Sequence, residues 1–220
     1  MNVQVNHAKT IALIGNTNNN VVGFYSSKIR ELISQNSVST DLFNCIIYSA
    51  KFRDFSRNTI QNWNFNSSKL ANAYLDVLSN GAQKIAFCEP AMHLLLEPKA
   101  ILIPIIDLAD SIISFFREKN ITKVACLGIE GQLLERYFYE INRQGITLFL
   151  IDKLYNECST ESEKINFVTT LPLRKIEAIL LHNRPQLETF LRCIGVSIPI
   201  FTTWSIHSHA IAKSILNDFL

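Results

Sequence analysis

No block of lysine and arginine interrupts this chain. Its 21 basic and 19 acidic residues are scattered, and a formal net charge of +2 provides no surface that would neutralise a run of phosphates. A nucleic-acid partner is therefore not expected. Long apolar runs are missing as well. The stretch "IALIG" near the start is too short for a signal-peptide core, and "AILIPII" over Ala100 to Ile106 falls far below membrane-spanning length and contains Pro104. A soluble, cytoplasmic chain without a membrane partner is the expectation. Cysteine is sparse: Cys45, Cys88, Cys126, Cys158 and Cys193 are odd in number, widely spaced and form no CxxC pair of the zinc or redox type. Cys88 and Cys126 fall inside apolar strand patterns, where a reduced, buried thiol is the plain reading. Gly15 is not followed by GxxG, so the dinucleotide fingerprint is absent. His207 and His209 stand two apart on a helical stretch and do not share a face as a metal pair would. No metal is expected.

What the chain does have is a hydrophobic content of 48% against 18% charged residues, enough for one large domain or two compact lobes. Short apolar runs alternate with helix-period segments, the pattern of an α/β sheet with helices on its faces. A strand over Thr10 to Ile14 ends at Gly15. After the polar turn "NTNNN", Val21, Val22, Phe24, Tyr25, Ile29, Leu32 and Ile33 recur at helical spacing. A second strand, Asn44 to Tyr48, leads into the cationic loop "SAKFRDFSRNTIQNW", and a helix from about Ser68 to Ser79 follows. Next comes "KIAFCEPAMHLLL": a buried strand that stops at Glu89-Pro90 and restarts as a helix carrying Met92 and His93. "ILIPIIDLADSIISFF" then reads as an apolar strand followed by a helix.

The plan then repeats. "KVACLGIEGQLLERYFYEINRQGI" has the strand, Gly128, turn and helix of the opening, and "EAILLHNRPQLETFL" has the layout of "KIAFCEPAMHLLL". The polar clusters Glu89-Pro90 and His182-Asn183-Arg184 thus fall at corresponding places of two similar halves, with no Pro/Gly/Ser linker between the halves. The expectation is two mostly parallel, Rossmann-like α/β lobes with pseudo-two-fold symmetry: residues 1–107 plus 205–220, and residues 108–204. In open parallel sheets ligands bind beyond the carboxyl ends of the strands, so a cleft between the lobes is the expected site.

On these stretches the chain resembles the aspartate/glutamate racemase family over nearly its whole length. "IALIGN" with "FYSSKIREL" is similar to that family's opening turn and tyrosine-containing helix, and "GAQKIAFCEPAMH" to its strand ending Cys-Asn-Thr-x-His. "KVACLGIEG" resembles its strand ending Leu-Gly-Thr, "EAILLHNRP" its Gly-Cys-Thr-Glu segment, and "IPIFTTWSIHSHAIA" its last strand and helix, with the Ile206-His207 pair. The resemblance implies cofactor-independent inversion of an amino-acid Cα by two groups on opposite faces, one removing a proton and the other returning one. Typical members use two cysteines. Anchored on His93, the family's first cysteine falls on Glu89 and its threonine on Ala91; in the second motif the cysteine falls on His182 and the threonine on Asn183. Both cysteine positions are thereby substituted.

Two readings of Glu89 and His182 stay open. In one, the carboxylate and imidazole are the acid and base. In the other, Glu89 caps a helix that begins at Pro90, and His182-Asn183 is a polar helix entry. Cys88 is a third candidate, as nucleophile or base, if a bulge turns its sulfur outward. For ligand binding the resemblance points to Lys164 in "EKIN", and Thr202 stands where the family often has Asp. Asn16 and Thr17 offer turn amides, and Arg53 or Arg57, with Lys51 nearby, offers a carboxylate clamp. Each of these also reads as an ordinary turn residue or solvated loop charge. The expected partners are a small carboxylate or amino acid and a second copy of the chain. Decarboxylation of a substituted malonate or double-bond isomerisation is the alternative chemistry, and an inactive ligand-binding or regulatory protein the alternative class.

Overall fold

The computed structural model describes residues 9–17, 21–36, 43–53, 55, 60–95, 101–129, 132–182 and 185–217. It divides into two compact units, Met1–Leu108 with His207–Leu220, and Ala109–Ile206. In the first unit β1 (Lys9–Asn16) lies between β2 (Phe43–Ala50) and β3 (Lys84–Phe87), all parallel. The unbroken apolar run Ile11 to Ile14 is fully buried, as a central strand covered on both faces requires. Helix α1 (Val21–Gln35) buries Val22, Tyr25, Ile29, Leu32 and Ile33 along one stripe. Helix α2 (Ile60–Ser79) seats Leu70, Ala73, Tyr74 and Val77 in a core with Ile14, Phe87 and Met92. Side chains of this size contribute about 1.5–3 kcal/mol each when removed from water.

Three local expectations are corrected. Strand β1 runs on through Gly15 to Asn16, pairing them with Ser49 and Ala50. Helix α2 starts at Ile60, not near Ser68. Its polar first half is fixed by the buried Asn66, whose Oδ1 accepts from Arg53 N (2.9 Å) and whose Nδ2 donates to Arg53 O (3.1 Å). Finally, no strand forms over "ILIPII". Only Ile105 bridges Ile85, with Ile85 N donating to Pro104 O and Ile106 N to Ile85 O, and Pro104 has no N–H with which to extend the ladder.

The second unit is a four-stranded parallel sheet in the order β5 (Thr147–Leu150), β4 (Lys123–Leu127), β6 (Ala178–Leu181), β7 (Ile200–Thr202). Around it run α3 (Leu108–Glu118), α4 (Gln132–Asn142), α5 (Asp152–Glu157), α6 (Glu161–Thr169) and α7 (Pro185–Cys193). Its core gathers Leu127, Val168, Ile179, Leu181 and Leu191. Helix α8 (Thr203–Leu216) carries the chain from this unit back into the first.

Candidate functional site

In each unit the third strand in sequence ends beside the central one, and the next residue extends the ladder by one bond. Cys88 N donates to Ile14 O (2.9 Å) in the first unit, and His182 N donates to Leu127 O (2.8 Å) in the second. Together with the pairs Ile14–Phe87 and Leu127–Leu181, this register makes Cys88 the backbone counterpart of His182, so Glu89 lies one residue further on.

Cys88 is 4% exposed and packs on Gly15, where an added Cβ would lie 3.2 Å from Cys88 Cβ and 3.7 Å from its Sγ. Burial, with the charge of Glu89 second, pushes the thiol well above its ordinary range. Cys88 is therefore protonated at neutral pH. Glu89 has an extended backbone (φ −122°, ψ 126°) and is the N-cap residue of a five-residue 3₁₀ helix, Pro90–Leu94, yet its side chain makes no cap hydrogen bond. Glu89 is partly exposed, in contrast to the buried Cys88 before it and Pro90 after it.

Behind these residues lies a buried polar network that sequence reasoning did not assemble. His207 Nε2 is 2.8 Å from the Ile106 carbonyl, which can only accept, so Nε2 carries the proton and Nδ1 accepts from Tyr25 Oη–H (3.1 Å). His93 Nδ1 donates to Asp107 Oδ2 (2.8 Å). Burial, helped by the charge of His93, depresses His207 to about 4. The Tyr25 hydroxyl is pushed up by burial first, then by Cys88 and Glu89. Tyr25 and His207 were visible in the sequence as a helix tyrosine and an Ile-His pair; nothing local joined them across 182 positions.

In the second unit His182 is buried, its Nδ1 hydrogen-bonded with Thr203 Oγ1 (3.0 Å). Gly128 takes a left-handed φ of 90° at the end of β4, and the N–H groups of Gly128 and Ile129 donate to Asp152 Oδ1 (2.7 Å) and Oδ2 (3.1 Å). Asp152 directly follows the apolar stretch "TLFLI", so the strand-end logic that selected Glu89 would have found it too. A cavity of about 570 Å³ opens here, lined by Leu127, Asp152, Tyr155, Glu161, Lys164 and Phe190 among others. Lys164 is thus placed at a cavity, its Nζ 5.3 Å above the Tyr155 ring.

Other expected ligand residues have local roles. Thr202 Oγ1 accepts from Ser205 N (3.3 Å) at the start of α8, and Arg53 stacks on Phe65 with Cζ 4.3 Å from the ring centre. Asn16 and Ala91 are buried, while Thr17 and Lys51 are exposed. Arg57 and Asn183 lie outside the described residues. Among the described residues no helix is long and apolar enough to cross a membrane.

No protein-family model matches the chain, and no curated protein matches it by sequence. Solved structures do. A Yersinia pestis protein provisionally named an Asp/Glu racemase is similar at 19% identity and a TM-score of 0.77, over 94% of this chain and 99% of that one. An aspartate racemase homologue from Pyrococcus horikoshii gives 21% identity and 0.75 over the same shares, and the Picrophilus torridus aspartate racemase 15% and 0.63 over 94% of both chains. Weaker likenesses, at TM-scores of 0.54 and 0.53, reach a Nocardia farcinica maleate cis-trans isomerase and an arylmalonate decarboxylase. At these identities what is shared is the fold, a two-lobe α/β arrangement with parallel sheets.

Proposed function

We propose that the chain binds a small carboxylate or amino acid and inverts its Cα by cofactor-independent proton transfer, with Glu89 and His182 as the two proton-transferring groups. The observation that carries this reading is the pairing of strand ends. A partly exposed carboxylate follows β3, and an imidazole held at Nδ1 by Thr203 follows β6, on a fold shared with racemases. Cys88 is the backbone counterpart of His182, but its thiol is buried and protonated, so the chemistry passes to the next residue. Glu89 removes the α-proton, His182 supplies one through Nε2 from the other face, and the reverse reaction exchanges the roles. Lys164 anchors the carboxylate.

A second reading, a ligand-binding protein without turnover, is favoured by the cysteines. Cys88 and Cys126 are pushed up by burial and Cys45 is raised to about 11, so none of these three supplies the thiolates of the resembled family. Deuterium uptake at Cα from heavy water, across a panel of D- and L-amino acids, separates the readings. Exchange that falls at least about 100-fold in Glu89→Gln and in His182→Asn, with ligand affinity kept and a bell-shaped pH profile, supports the enzyme. Loss in Cys88→Ala with Glu89→Gln unaffected would transfer the role to the thiol. No exchange with any bound ligand leaves the binding protein. Should exchange occur only with a substituted malonate or an unsaturated dicarboxylate, the chemistry is that of the decarboxylase or isomerase neighbours.

A further inference from the structure

The cavity of the second unit is lined by one basic side chain, Lys164, and by the carboxylates of Glu161 and Asp152, and we infer that the ligand is a zwitterionic amino acid with an uncharged side chain. This rests on the ligand-binding reading above and narrows it. Lys164 is the one basic residue lining the cavity among the described residues, and no ion pair neutralises it; the face of Tyr155 holds the ammonium without discharging it. The other natural seat for an anion, the N–H pair of Gly128 and Ile129 beyond β4, is already taken by both oxygens of Asp152. One carboxylate therefore meets a cation here, and no second basic residue among the described ones lines the cavity for another.

The same lining presents negative charge. Glu161 stands one helical turn before Lys164 on α6, on the same side, and the two do not form an ion pair. A ligand ammonium beside its own carboxylate would engage Glu161 while the carboxylate engages Lys164. A dicarboxylate would instead aim its second charge at Glu161 and Asp152. Leu127, Leu187 and Phe190 supply the apolar part of the wall and the amides of Asn156 and Gln186 the remainder, none of them charged, which suits an uncharged side chain.

The test compares four probes by calorimetry on the intact chain: norvaline as either enantiomer, pentanoate, butylamine and glutamate. Norvaline is expected to bind at least about tenfold more tightly than pentanoate, which lacks the ammonium, and than glutamate, which adds a carboxylate. Glu161→Gln should remove the preference over pentanoate without weakening pentanoate itself, whereas Lys164→Ala should weaken both. Pentanoate or glutamate bound as tightly as norvaline, or a preference unchanged in Glu161→Gln, overturns the inference while Lys164-dependent carboxylate binding survives. Binding of none of the three carboxylates removes the ligand-binding reading and this inference together.

Discussion

At Gly15 the absence of a side chain is a packing requirement, not a turn requirement. A Cβ built there would come within 2.3 Å of Val22 Cγ2 and 3.2 Å of Cys88 Cβ, so β1, α1 and the end of β3 meet where only a hydrogen fits. Gly15→Ala is expected to destabilise the fold by about 1–3 kcal/mol, the range for overpacking, read as a lower urea midpoint at unchanged slope. The same closeness fixes the chemistry beside it. Cys88 is pressed on Gly15 and kept as a thiol, while the next residue, Glu89, is partly exposed. An unchanged midpoint in Gly15→Ala would mean that α1 yields easily and that Cys88 is less confined than its burial indicates.

Helix α6 carries Glu161 and Lys164, and its start is fixed by a complete capping box. Thr160 Oγ1 accepts from Glu163 N (3.2 Å), while Glu163 Oε2 accepts from Ser159 N (2.7 Å) and Thr160 N (3.1 Å). Those bonds, led by the one from Thr160, hold the Glu163 carboxyl below its usual range. Thr160→Ala is expected to cost about 1 kcal/mol by denaturant titration and to loosen Lys164 at the cavity. The capping box of this helix was not read from Thr-Glu-Ser-Glu, although its contacts lie within a few residues; the strands β1, β3, β4 and β6 were legible from their apolar runs. The start of α2 was not legible, since it depends on Asn66 reaching back to Arg53, nor was the loss of the strand before α3 to a single bridge, where the N–H that Pro104 lacks cannot extend the ladder. For the site, strand ends gave Glu89 and His182. Their one-residue offset became visible only through the ladder bonds of Cys88 and His182.

At the scale of the whole molecule, acid sensitivity follows from a histidine that must stay neutral to stay buried. His207 is 0% exposed, with Nε2–H given to Ile106 O and Nδ1 filled by the Tyr25 hydroxyl; the titratable groups acting on it are His93, which lowers its pKa, and Asp107, which raises it. Its folded-state value of about 4 lies below the 6.5 of a free histidine, so above pH 6.5 both folded and unfolded chains hold it neutral and stability is at its full value. As the pH falls from 6.5 towards 4 the unfolded chain binds a proton that the folded one refuses, and stability declines by roughly 3 kcal/mol before levelling once the folded form is protonated too. Urea midpoints measured across this window should therefore fall more steeply for the wild type than for His207→Gln, whose amide does not titrate. Tyr25→Phe provides the complementary measurement: it leaves Nδ1 without its donor, lowers stability near pH 7 by about 1–3 kcal/mol and makes protonation easier, shrinking the acid slope. Parallel pH profiles for wild type and His207→Gln would show that the imidazole reaches water in the native protein, and that the Tyr25–His207–Ile106 chain of hydrogen bonds does not hold in solution.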